Sequence, residues 1–118
     1  MKRVLLGENL PVKLKYRLES VCEIYTVKDK GWNALENGEL LYAMQQENFD
    51  YLITSDKNLQ YQQNLEAYTI GFIVLNAADN TYESFLPLVD KIKQVLYNEA
   101  SEVDGNRINY RPFEQPNP

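Results

Sequence analysis

Apolar and polar positions fall into blocks along this chain, and the length and period of each block assign an element. Residues 4–6 are a short apolar run, as expected of a strand covered on both faces. Leu10, Leu14 and Leu18 then recur every four residues, a helical stripe with Lys13, Lys15, Arg17 and Glu19 outside it. Asn9 is placed to cap that helix, and Pro11 suits its first turn. Residues 23–27 (EIYTV) have the β-branched and aromatic content of a second strand, and residues 28–33 read as a turn. Asn37 or Gly38 opens a second helix, with Leu40, Leu41, Ala43 and Met44 on its apolar side. Residues 50–54 (DYLIT) predict a third strand, residues 55–58 a loop, and residues 59–65 a short polar helix. Residues 69–75 (TIGFIVL) are nearly all apolar and predict the central strand. Tyr82, Phe85, Leu86, Val89, Ile92 and Leu96 keep helical spacing over residues 82–97, with Pro87 limiting where that helix starts.

Strands alternating with helices make a parallel sheet with helices on its faces the expected architecture. Residues 1–97 read as a single domain. Residues 98–118 turn polar, carry Pro112, Pro116 and Pro118, and read as an extension with an edge strand over 107–110 and then a tail.

Composition narrows the chemistry. The chain has no histidine, which removes His-based triads, HExxH zinc sites and the usual proton shuttle together. Its net charge of −5 argues against a protein held to nucleic acid mainly by phosphate neutralisation. It leaves open an enzyme that meets a short stretch of RNA through a metal. The lone Cys22 forms no internal disulfide, in keeping with a cytoplasmic protein. No apolar run approaches the roughly 18 residues of a membrane span, and the apolar run near the start is too short for a signal peptide.

In an open parallel sheet, ligands bind beyond the carboxyl ends of the strands. Polar clusters fall there at Glu8 and Asn9, at Ser55 to Asn58, and at Asn76 to Asn80. Glu39, in the first turn of the second helix, can face the same crevice. Without histidine, Glu39 and Asp56 suit a hard cation, whose bound water can attack a phosphodiester. The same two acids are equally ordinary as a helix-dipole partner and a turn residue. Gly7 belongs to neither a GxGxxG nor a GxxxxGK[ST] loop. Cys22 reads as packing, and Trp32 as either a recognition aromatic or a lid on the core. The run Gln60 to Asn64 is a solvated helix face or a surface for a partner.

Four segments together, VLLGENLP, KGWNALENGELL, FDYLITSDKNLQYQQNL and IGFIVL, resemble the short PIN-like domains of bacterial toxin–antitoxin modules, relatives of the VapC-type ribonuclease toxins. The resemblance covers about residues 2–97. It implies an α/β, PIN-like three-layer sandwich with a central, mostly parallel sheet of four to five strands and helices on both faces. It further implies a metal-dependent endoribonuclease using Mg²⁺ or Mn²⁺, an RNA substrate, a small antitoxin protein as partner and a homo-oligomer. By position, Glu39 matches the helix acid and Asp56 the acid of the TxD motif. The family reads LLDENLP where this chain reads LLGENLP, so the first-strand acid maps to Gly7. Glu8 supplies a ligand only after a local twist, because residues 7 and 8 of a strand point to opposite sides. Asp79 is a candidate further acid. Asn9, Lys57, Asn58, Gln62 and Gln63 are candidate contacts to substrate or partner.

The resemblance therefore implies a toxin of ribonuclease descent with hydrolysis impaired at Gly7. The alternative is a non-catalytic PIN-like protein that binds an antitoxin or a second copy. A phosphoacceptor receiver shares acids after its first and third strands, but it needs a fifth strand followed by a lysine. The residues after Leu75 offer no clear place for them.

Overall fold

All four apolar runs form strands in the computed structural model, which describes residues 1–56, 58–59 and 67–97 and the backbone of Pro112–Glu114. The strands are β1 (Arg3–Leu6), β2 (Glu23–Thr26), β3 (Tyr51–Thr54), β4 (Gly71–Asn76) and the short β5 (Pro112–Glu114). They pair in the order β2-β1-β3-β4-β5, and every pairing is parallel. Leu5 lies opposite both Tyr25 and Leu52, and Leu52 opposite Phe72, which fixes the register across the four longer strands.

Side chains alternate across this sheet, and both faces are apolar. Val4 and Leu6 of β1 join Ile53, Ile73 and Leu75 in one core. That core is covered by Leu14 and Leu18 of α1 (Lys13–Leu18), Phe85 of α3 (Tyr82–Phe85), and Ile92 and Leu96 of α4 (Val89–Tyr97). Leu5, Leu52 and Phe72 face the other way and pack with Leu41 and Met44 of α2 (Asn37–Gln46) and with Phe49. The period of two on each strand thus builds an α/β sandwich with α2 on one side and α1, α3 and α4 on the other.

The two crossovers explain where a ligand site lies. The β1–β2 connection runs through α1 on one face, and the β2–β3 connection runs through α2 on the opposite face. The chain therefore steps from β1 to one side to form β2 and then crosses past β1 to form β3 on its other side, so the strand order reverses between β1 and β3. Such a reversal opens a crevice at the carboxyl ends of the two strands.

Several expectations are corrected. Asn9 is exposed and does not cap α1; the N-cap position is Val12, and no side chain caps the helix. The Leu10 amide instead donates to the Gly7 carbonyl (3.1 Å), so a turn intervenes before the helix and Pro11 precedes it. The helix expected over 82–97 is broken into α3, a 3₁₀ turn at Leu86–Leu88 and α4. Pro87 sits in that turn, where its missing N–H costs no helical hydrogen bond. The strand expected to be central, β4, does lie inside the sheet, between β3 and β5. A fifth strand does exist at Pro112–Glu114, but Gln115, Pro116, Asn117 and Pro118 follow it and none is a lysine. Residues 107–110, expected as an edge strand, and the polar helix over 59–65 lie largely outside the described residues. No helix among the described residues is long and apolar enough to cross a membrane.

Candidate functional site

The turn after β1 (Gly7, Glu8, Asn9) and the end of β3 with the loop that follows (Thr54, Asp56) form two sides of a cleft of about 380 Å³. It sits where the strand order reverses. Its third side comes from Trp32 and Leu35 of the β2–α2 connection and from Asn37 and Leu40 of α2, while Val27, Leu52 and Leu59 supply apolar surface. Gly31, at φ 71°, makes the turn that delivers Trp32 to this wall. Trp32 is also packed against Phe49 (ring centroids 5.7 Å apart) and lies beneath the Lys30 ammonium. It is therefore at once a lid on the α2-side core and a wall of the cleft.

Gly7 is explained by its neighbours. Its amide donates to the Ile53 carbonyl at 2.7 Å, extending the β1–β3 pairing by one residue. A Cβ at this position would lie 2.9 Å from the same carbonyl oxygen and 3.5 Å from both Cα and Oγ1 of Thr54. The side chain that Gly7 lacks would point at Thr54, a residue lining the cleft, but backbone already fills its first step. Glycine here permits the close approach of two strands.

The expected acids are distributed as follows. Glu8 is exposed and Asp56 half-buried, and both line the cleft. Asp56 is held in an Asx turn: its amide donates to Thr54 Oγ1 (3.0 Å), and its Oδ1 accepts from the Asn58 amide (2.9 Å). Glu39 is outside the cleft lining; its Oε1 accepts from the Glu36 amide at 3.0 Å, reaching back over the first turn of α2. Asp79 lies beyond β4 and serves α3. Its Oδ1 accepts from the Ser84 hydroxyl and the Thr81 hydroxyl (both 2.6 Å) and from the Thr81 amide (3.0 Å). Those bonds, that from Ser84 foremost, hold the Asp79 carboxyl below the usual aspartate range.

Among the described residues, no three His, Cys, Asp or Glu side chains gather as a metal-ligand set. The donors present do not fit the three-acid Mg²⁺ or Mn²⁺ centre implied by the resemblance. One position is glycine pressed on a carbonyl, and two candidate acids are engaged at helix starts. Of the candidate contact residues, Asn9 lines the cleft and Asn58 is exposed beside it. Lys57, Gln62 and Gln63 lie outside the described residues. Cys22 is buried, and burial alone pushes its thiol up to about 11, which agrees with a packing role. Asn37 and Thr54 were not expected as lining residues, whereas Trp32 was read as either a recognition aromatic or a lid on the core. Only Trp32 carried a signal, as a large aromatic in a Gly–Asn turn.

No protein-family model, curated protein or solved structure matches this chain.

Proposed function

We propose that this chain is a PIN-like protein of toxin ribonuclease descent, with its hydrolytic centre incomplete and its RNA-facing cleft retained. The observation that carries the reading is the cleft between the ends of β1 and β3. Glu8 and Asp56 line it, and Gly7, at the position matching the family's first acid, has its side-chain direction blocked by the Ile53 carbonyl. Losing the first-strand carboxylate takes away one negative charge and one oxygen ligand, so a divalent cation is held more weakly and its water is positioned less well. Phosphodiester hydrolysis is accordingly impaired.

A second reading is supported by Glu39 and Asp79, whose carboxylates already serve α2 and α3. In it, the fold acts as a non-catalytic binding protein for a small antitoxin protein or a second copy. Glu39→Ala and Asp56→Ala then leave partner binding intact.

The experiment is a cleavage assay on single-stranded and structured RNA with millimolar Mg²⁺ or Mn²⁺, using the natural chain and Asp56→Asn. Equal, background-level cleavage by both is the expected result. Metal-dependent cleavage by the natural chain that Asp56→Asn abolishes overturns the proposed impairment.

A further inference from the structure

We infer that the cleft between β1 and β3 is a nucleobase subsite that prefers guanine. The inference rests on the RNA-facing reading above and names what enters the cleft. The lining contains two carboxylates, Glu8 and Asp56, and no lysine or arginine among the described residues. Among the described lining residues a phosphate meets like charge, which favours an uncharged group rich in hydrogen-bond donors. Trp32 gives the cleft an aromatic wall, and every base offers a π-face to such a wall. Leu40 and Leu52 provide apolar surface for the ring body, as small-molecule pockets generally do.

The polar groups then select among bases. Guanine presents N1–H and N2–H₂ side by side, two parallel donors that one carboxylate can accept together. Adenine and cytosine each offer an exocyclic amine beside a ring nitrogen that only accepts. Uracil offers one N–H between two carbonyl oxygens, and those oxygens face the carboxylate unfavourably. Recognition of the base edge, with the phosphate left in solvent, also fits a chain of net charge −5. Asp56 is the better placed acid, because it is half-buried and its Oδ1 is already oriented by the Asn58 amide.

The chain's single tryptophan is a built-in reporter. In ¹H–¹⁵N correlation spectra of the full chain, titration with guanosine should shift the Trp32 indole peak and the Asn37 amide saturably. Uridine should bind about ten-fold more weakly, the loss expected for a hydrogen bond to a charged group. Asp56→Asn keeps an oxygen for the Asn58 amide and should weaken guanosine binding by a similar factor while the spectrum stays dispersed. Glu8→Gln, at an exposed position, is the second variant and should weaken guanosine less. The inference is overturned if guanosine leaves the Trp32 peak unmoved at millimolar concentration, or if uridine binds equally well. Guanosine binding unchanged in both variants also overturns it, as does arginine amide binding the same cleft more tightly, which makes it a site for a basic peptide. RNA hydrolysis is scored separately: a cleaving protein overturns the proposed impairment and leaves the base preference standing.

Discussion

Gly7 is where the chemistry of one residue decides most. A methyl group there must push against the Ile53 carbonyl, a backbone atom with β3 behind it. Gly7→Ala should therefore destabilise the fold by about 1–3 kcal/mol, the usual cost of overpacking. An unhindered Gly→Ala would instead gain roughly 0.4–1 kcal/mol. Urea unfolding distinguishes the two, and a raised midpoint contradicts the close-approach account. Ser55 offers the opposite case. Its hydroxyl is buried without a hydrogen-bond partner among the described residues. Removing an unsatisfied hydroxyl relieves a desolvation cost, so Ser55→Ala should match the natural stability or exceed it by about 1 kcal/mol in the same measurement. A loss of more than about 1 kcal/mol would mean that the hydroxyl has a partner.

At the scale of elements, side chains that tie starts and loops together carry the predictions. Thr81 caps α3 by accepting from the Ser84 amide, and its hydroxyl donates to Asp79. Thr81→Ala should cost about 1 kcal/mol, read from the urea midpoint. Lys15 of α1 reaches Asp29 in the loop after β2 at 2.8 Å, and the Thr26 amide donates to the same carboxylate. The Lys15 bond first, then Thr26, lower the Asp29 carboxyl to about 2 from 3.8. A depressed carboxylate contributes stability above its unfolded value and loses it as pH falls through the folded value. The stability difference between the natural chain and Asp29→Asn should therefore be full above pH ~4 and shrink towards pH ~2. The pair is part-exposed, so the difference is small and falls further with salt. A gap that persists unchanged to pH ~2 contradicts the assignment.

These elements also show how far the sequence could be read. Strands buried on both faces are continuous apolar runs, so β1, β3 and β4 were legible to within two residues. The start of α1 was not, because the Leu10 amide turns back to Gly7 and uses the residues that looked like a cap. A helix-start glutamate such as Glu39 looks the same in sequence whether it holds a metal or a backbone amide; the bond it accepts from Glu36 is visible only in the fold. Nor could Gly7 be understood locally. Its neighbour in space is Ile53, far along the chain, and sequence pattern carries no distance between β1 and β3.

At the scale of the whole molecule, the crossovers through α1 and α2, on opposite faces and to opposite sides of β1, place the cleft, and the charge distribution limits what it can hold. With a net charge of −5 and two carboxylates in the cleft, the protein has little electrostatic attraction for phosphate backbones. What remains is a carboxyl-edge cleft with one aromatic wall and two carboxylates, which we propose to be an incomplete acidic centre. The most direct measurement of that incompleteness is Mn²⁺ binding to the natural chain, followed by electron paramagnetic resonance of the free ion. Only weak association is expected, with Kd no tighter than millimolar and little changed by Asp56→Asn. One Mn²⁺ bound at micromolar Kd, and lost in Asp56→Asn, would contradict the account.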